Sequence, residues 1–261
     1  MNRAGICYQA YIPMRKEPGE TSEMVNQVLF GETFSILEEN KPLNFSYIRL
    51  EHDQYEGWIN MGCVSYLSDK ELEILGSKEF SFTHELLNSL HSLNNSDTLI
   101  VGCGSIIRYV ESGKTKTLFN DYSFSDTEQP HLESVRDKLI HFGLKLLTVP
   151  YLWGGRSSFG FDCSGLCQNL YRQVGIEIPR DASMQSAVGR NLNFIDEACP
   201  GDLAFFDNEE GKIIHVGILT SKNRIIHASG QVRIDSIDHH GIFNTDLRKY
   251  THNLRLIKRI L

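Results

Sequence analysis

Alternating apolar and polar positions dominate the first third of the chain. AYIPMRKEP, SEMVNQVLFGETFSILEEN, FSYIRLEHD and YEGWINMGCVSYL each place an apolar residue at nearly every second position, with Gly and Pro between the runs. In ETFSILEE, Phe34 and Ile36 face one way, as in a half-buried strand. This pattern predicts short strands closing into a small barrel over residues 7–66. From 67 to 125 a polar, helical stretch (SDKELEILGSKEF) precedes a strand-like one (TLIVGCGSIIRYVESGKTKTLF), read here as an extension of the first domain. TEQPHLES then breaks the pattern, and the domain boundary is placed between 126 and 127.

Beyond it the period changes. Val135, Leu139, Ile140, Leu144, Leu146 and Leu147 form a broadly amphipathic helical stripe running up to Pro150. A Gly-rich turn follows, and then Cys163, Leu166, Cys167, Leu170, Tyr171 and Val174 recur at the spacing of an amphipathic helix, with Gly175 as its stop. IIHVGIL (213–219) and RIIHA (224–228) read as two strands of a hairpin. If His215 opposes His227 directly, the turn is centred on Ser221 with an odd number of loop residues, whereas a two-residue loop breaks that pairing.

Composition changes this picture little. The 261 residues are 41% hydrophobic and 23% charged, as in ordinary globular proteins. The net charge of −7 argues against nucleic acid or an anionic membrane as partner. No apolar run approaches membrane-spanning length, and the residues after Met1 lack the apolar core of a signal peptide, so a cytoplasmic location is expected. The six cysteines form no framework; Cys163 and Cys167 are one helical turn apart, not in C-x-x-C spacing.

Cys163 therefore draws attention by its place. It opens a helix, where unsatisfied N–H groups and the helix dipole favour a thiolate. Asp162 beside it raises the thiol pKa unless its carboxylate caps the helix. Core packing, a metal ligand and a nucleophile all remain open on this ground. A nucleophile needs a base, and His215 and His227 are the candidates, though each reads equally as a core histidine. Gly217 leaves room beside the imidazole. A zinc site of Cys163, His215 and His227 fits the residue types but has no local ligand pair, so no metal and no cofactor are expected.

YLWGGRSSFGFDCSGLCQNLYRQVGIEIPRDASMQ, then PGDLAFF, then IIHVGIL and RIIHAS resembles the NlpC/P60 cysteine peptidases, and the N-terminal part resembles the bacterial SH3-like module through Arg15–Pro18, LFGE and YEGWI. The resemblance implies an α+β chain: an all-β SH3-like barrel domain (1–126) before a papain-like domain (127–261) whose Cys-bearing helix packs on an antiparallel sheet. It implies Cys163 as nucleophile, His215 as general base, His227 as the third member and Tyr151 as an oxyanion donor. More narrowly, it implies a γ-D-glutamyl-L-diamino-acid endopeptidase acting on murein tri- or tetrapeptides with a free N-terminal L-Ala. Asp181, with Glu23 and Tyr55, would read the ammonium, and Asp162, Ser164 and Arg156 would line the peptide and carboxylate subsites. Ala182 stands where relatives often carry a hydroxyl. The rival readings are a papain-like amidase or acyltransferase on another substrate, and a non-catalytic wall-peptide-binding protein.

Overall fold

The computed structural model describes residues 3–77, 79–110, 114–116, 121–124, 132 and 134–261. The chain divides into two compact units: Met1–Gln129 with Trp153–Ser158, and Pro130–Leu152 with Phe159–Leu261. The boundary expected between 126 and 127 lies outside the described residues.

In the first unit a seven-stranded antiparallel sheet runs in the order Met24–Leu29, Tyr11–Arg15, Glu56–Asn60, Phe45–Leu50, Thr33–Asn40, Arg3–Ile6, Ser65–Leu67. The apolar positions of the alternating runs meet inside it, where Ile12, Met14, Val28, Phe34, Ile48 and Ile59 are fully buried. The stretch after residue 67 holds the helix Asp69–Gly76, closed at its start by a Ser68–Glu71 capping box, and a second, six-stranded sheet. Phe30 of the first sheet enters the core of the second beside Leu90, Val101, Ile107 and Phe124.

The segment Trp153–Ser158 is built into this unit. Gly154 has φ +73°, and a Cβ there would stand 2.4 Å from the Met24 carbonyl oxygen, so only glycine fits. Arg156, expected to line a carboxylate subsite, has a different place. It is 0% exposed, its Nη2 bonds Glu32 Oε2 at 2.6 Å and the Gln27 carbonyl at 2.9 Å, and its backbone N–H bonds Gln27 Oε1 at 2.8 Å. His52 and Asp53 complete the buried charge cluster, with His52 Nε2 3.3 Å from Asp53 Oδ2. Burial opposes ionisation of Asp53, but His52 and Arg156 outweigh it and hold the carboxyl well below the ordinary value. Removing one partner of such a pair strands the other in the interior. Arg156→Met is therefore expected to cost about 3–5 kcal/mol of stability, measured by urea unfolding. An exposed arginine would cost almost nothing.

The second unit is helices on a sheet. The strands run Arg190–Leu192, Lys249–Arg259, Leu203–Asp207, Ile213–Ser221, Arg224–Ser229, Gln231–Ile237, Gly241–Asn244, and the last pairs back with Lys249–Arg259. Six strands thus close on themselves, and Ala204, Phe206, Leu219, Ile225, Ile237, Ile242 and Ile257 fill the interior. Ile226, of opposite parity to Ile225, faces the helices instead: a Cβ on Gly143 would lie 3.2 Å from Ile226 Cδ1 and 3.4 Å from Leu170 Cδ1.

The helix Val135–Lys145 is capped by Ser134, which accepts from the Asp137 N–H. The helix Cys163–Gln173 departs from the amphipathic expectation, because its polar residues are buried too. Several find partners inside: Gln168 Nε2 donates to the Ile178 carbonyl at 3.1 Å, Gln173 Nε2 to Asn169 Oδ1 at 2.6 Å, and the Tyr171 hydroxyl to the Gly201 carbonyl. Gly175, at φ +81°, ends the helix with its N–H on the Arg172 carbonyl. A central helix covered on all sides fixes the position of its first residue, which is Cys163.

Candidate active site

Three backbone bonds hold Tyr151 beside the start of that helix. The Tyr151 N–H donates to the Gly230 carbonyl at 3.0 Å, the Leu152 N–H to the Phe161 carbonyl at 3.0 Å, and the Phe161 N–H to the Pro150 carbonyl at 3.2 Å. Asp162 is the N-cap, accepting from the Gly165 N–H at 2.6 Å. Arg180 grips the same carboxylate with both Nη atoms, at 2.6 and 3.0 Å, and Nη1 also donates to Ser164 Oγ at 2.9 Å. Ser164 Oγ in turn donates to Asp162 Oδ1 at 3.2 Å. Asp162 and Ser164 thus stand at the start of the Cys163 helix with their side chains engaged on Arg180, which pins that helix end. Sequence reasoning misses Arg180; its only signal is a charge next to Asp181.

Burial pushes the Cys163 thiol up to about 11, and the Asp162 charge adds to this. The backbone N–H of Val216, the Arg180 charge and the Ser164 N–H pull the other way and do not prevail. The resting thiol is therefore protonated at neutral pH, and it needs a base before it can attack. Burial also raises the Tyr151 hydroxyl, with the charges of Cys163 and Asp162 adding to it, so this group stays a hydrogen-bond donor across the working pH range.

The hairpin that carries the histidines has a different register from the one expected. Ile218 opposes Ile226 and Leu219 opposes Ile225, while at the turn Ser221 opposes Arg224. The loop between the strands is the two-residue one, and it does give the opposite parity at Ser221. A bulge between Leu219 and Ser221 then restores the original parity, displaced by one pair. Continuing that register sets His227 opposite Gly217, not opposite His215. Gly217 is needed there, since a Cβ would stand 2.9 Å from His227 Cβ and 2.8 Å from the Ile226 carbonyl oxygen. His215 becomes the diagonal neighbour, and its Nε2 lies 2.8 Å from His227 Nδ1.

Period-two alternation carries the barrel's inner face from Leu219 to His215, from Ile225 to His227 and from Ile237 to Asp235. These polar groups meet at one end of an apolar interior. His215 and His227 are buried, and His227 Nε2 lies 3.1 Å from Asp235 Oδ2. His252, from Lys249–Arg259, stacks on His215 with ring centroids 4.1 Å apart and planes 24° apart. Burial, then the neighbouring His227 and His252, hold His215 well below the ordinary imidazole value, and burial pushes His252 down to about 4.

Among the described residues, His215, His227 and His252 form a set with metal-ligand character, their ring nitrogens within 4.8 Å. Stacked imidazoles direct their in-plane lone pairs side by side, and His215 and His227 spend a nitrogen each on one another. The contact between them, at 2.8 Å, is short enough for a proton to be shared along it.

Lowered histidines fix the sign of the pH dependence. The neutral, base-competent form of His215 persists below the free imidazole value, so the acid limb of kcat/KM is expected below pH 6.5. Stability follows the same direction. The unfolded chain binds protons at His215 and His252 near pH 6.5 that the folded chain refuses, so stability is lost as pH falls through that value toward about 4. Stopped-time assays and urea melts across pH 4–8 check both.

Asp181 sits next to Arg180 at the N-cap position of the short helix Ala182–Gln185, where its side chain makes no capping hydrogen bond. Glu23 and Tyr55 lie in the other unit. Trp153 Nε1 donates to Glu23 Oε1 at 2.8 Å, and Lys16 Nζ lies 3.5 Å from Glu23 Oε2. Tyr55 packs against the core of the first sheet. Asp235 and His252 carry no mark in the sequence. VRIDSI is an ordinary alternating strand, and nothing local shows its Asp as facing a histidine.

The NlpC/P60 family model matches residues 148–250, and the bacterial dipeptidyl-peptidase Sh3 domain model matches residues 14–62. The chain carries an NlpC/P60 domain behind a bacterial dipeptidyl-peptidase SH3 domain. Its relatives include gamma-D-glutamyl-L-lysine dipeptidyl-peptidase of Bacillus subtilis, 27% identical over 87% of this chain and 75% of that one. Dipeptidyl-peptidase 6 of Lysinibacillus sphaericus is 26% identical over 88% of this chain and 91% of that one. In fold, the crystal structure of an NlpC/P60 family protein from Bacillus cereus superposes with a TM-score of 0.83 at 18% identity, covering 98% of this chain and 99% of that one. The matched NlpC/P60 segment contains Tyr151, Cys163, Asp181, His215, His227 and Asp235. Among the described residues no helix is long and apolar enough to cross a membrane.

Proposed function

We propose that the protein is a cysteine endopeptidase that hydrolyses the bond between γ-D-Glu and a diamino acid, L-Lys or meso-diaminopimelate, in murein stem peptides with a free N-terminal L-Ala. The observation that most supports this is similarity to named dipeptidyl-peptidases over 87–88% of the chain, through both matched domains. Recycling of wall peptides inside the cell is the setting this activity fits.

Cys163 gives its proton to His215 and attacks the γ-glutamyl carbonyl. The C–N bond breaks, the proton passes to the departing amine, and L-Ala-γ-D-Glu remains as a thioester on Cys163. Water, deprotonated by His215, then releases the dipeptide and restores the thiol. The oxyanion is held by the Cys163 backbone N–H, unsatisfied at the first turn of its helix, and by the Tyr151 hydroxyl. Tyr151→Phe is expected to lower kcat about 10²-fold with little change in KM, by analogy with the loss of one oxyanion donor; steady-state kinetics on the tripeptide check it.

Asp181 is the proposed carboxylate for the substrate ammonium. It neighbours Arg180, which is anchored on the helix cap of Cys163, so a rigid connection joins amine recognition to the nucleophile. The test is mass spectrometry of L-Ala-γ-D-Glu-L-Lys and its diaminopimelate counterpart, each with free and acetylated Ala nitrogen. Release of Ala-Glu from the free peptides alone supports the reading. Cleavage of the acetylated peptides removes the free-amine requirement, and no cleavage of any leaves the amidase and acyltransferase readings.

A further inference from the structure

The histidine relay ends on a group with no assigned role. Asp235 lies in the strand Gln231–Ile237, where Arg233 is registered directly opposite His227. The Asp235 carboxylate is 3% exposed. Its Oδ2 faces His227 Nε2 at 3.1 Å, and Arg233 Nη2 donates to its Oδ1 at 2.9 Å. Arg233 is held from its other side by Asp246, whose Oδ2 accepts from Nη2 at 2.9 Å.

An ionised carboxylate only accepts hydrogen bonds. Burial opposes the charge on Asp235, but His227 and Arg233 outweigh it and keep the carboxyl below its ordinary value. The hydrogen in the His227–Asp235 bond must then belong to His227 Nε2. In the neutral ring this leaves Nδ1 bare, so the 2.8 Å contact with His215 takes its hydrogen from His215 Nε2. The bare nitrogen of His215 is consequently Nδ1. Each ring has one arrangement that satisfies all its partners, and the carboxylate at the end of the line selects it.

We propose that Asp235, fixed by Arg233, is a positioning residue that sets the Nε2–H tautomers of His227 and His215, leaving His215 Nδ1 as the atom that takes the Cys163 proton. The inference rests on Cys163 and His215 acting as nucleophile and base. In the transfer the Sγ–H bond breaks and the Nδ1–H bond forms. His215 keeps its Nε2 hydrogen on His227, and its new positive charge is drawn toward the Asp235 carboxylate. The other titratable groups around the rings are Cys163, whose sulfur faces the Val216 N–H, and His252, stacked on His215; Arg233 and Asp246 lie behind Asp235.

Asparagine is the informative replacement. Arg233 Nη2 makes a directed hydrogen bond to Oδ1, whereas Nε, 2.8 Å from Oδ2, makes none, so the amide oxygen of Asp235→Asn takes the Oδ1 position and the amide NH₂ faces His227 Nε2. Both tautomers then reverse, and His215 presents an N–H to the thiol. Long-range ¹H–¹⁵N spectra of histidine-labelled full-length protein at neutral pH read this directly. In wild type, His215 and His227 are expected in the Nε2–H form. In Asp235→Asn, His227 shifts to Nδ1–H and kcat falls about 10²-fold with KM little changed. Activity of this variant is regained as pH rises and the thiol ionises without a base. A hydrogen on Nδ1 of either ring in wild type overturns the proposal, as does a folded Asp235→Asn with kcat within about threefold of wild type. If Asp235→Asn does not fold, the wild-type spectrum decides alone. Failure of wild type to cleave the stem peptide refutes the proposed function while leaving the tautomer result standing.

Discussion

Cys163→Ala is expected to abolish peptide cleavage, lowering kcat/KM by about 10⁴-fold or more, while the protein stays folded and still binds substrate. The Cys163 sulfur faces the Val216 backbone N–H, and that contact is what alanine gives up. Its helix is held by the Asp162 cap, by Arg180 and by the Gln185 Nε2 bond to the Ser164 carbonyl. Loss of the sulfur therefore removes the nucleophile and little else. Cys167, a turn further along, is no substitute: it is 0% exposed and burial raises its pKa well above the ordinary value. Assay of the variant beside wild type, with tripeptide binding measured by calorimetry, checks both halves. Retained cleavage by Cys163→Ala would remove the nucleophile from this account.

His215→Ala is expected to cost about 10³-fold in kcat, somewhat less than loss of the nucleophile. The resting thiol is pushed up to about 11, so without a base the reactive thiolate is scarce at neutral pH. The residual activity should grow steeply with pH as the thiol ionises unaided. Iodoacetamide alkylation of Cys163 reports the same change without any substrate: its rate in His215→Ala should follow the ionisation of a free, buried thiol. An unchanged alkylation profile would mean that His215 does not take the proton. The cavity left beside His252 and Phe206 will also reduce stability, so a melting curve accompanies each assay.

Much of the fold and the site is legible in the sequence, and the failures are physical. Cys163 at a helix start and His215 and His227 in adjoining strands follow from local periodicity, which is why these three stand out from the residue pattern alone. The hairpin register depends on a single inserted residue. A bulge before Ser221 shifts the pairing, and no pattern of apolar residues reports a bulge in a strand buried on both faces. Arg156 departs from its expected place because sequence does not distinguish an exposed arginine from one paired in the interior. Its partner Glu32 is 124 residues away. Arg180, Asp235 and His252 are invisible for the same reason, since each acts through a neighbour that only barrel closure or the helix packing brings near. The helix Cys163–Gln173 looks amphipathic because Gln168, Asn169 and Gln173 are polar; their amides are paired inside, so the apparent solvent face is buried.

On this reading the chemistry starts from a Cys163 thiol that burial pushes up and a His215 imidazole that burial holds low. Neither is reactive alone. The Asp162–Arg180 pair holds the thiol's helix in place, and the line from His215 through His227 to Asp235 is arranged to receive one proton.

The most direct test of the central claim is rapid acid quenching of the enzyme during turnover of L-Ala-γ-D-Glu-L-Lys, followed by mass spectrometry of its peptic peptides. The account predicts an added L-Ala-γ-D-Glu acyl group on the peptide containing Cys163, and its absence after alkylation of that residue. Steady product formation with no adduct on Cys163, or with the adduct on another residue, would contradict it.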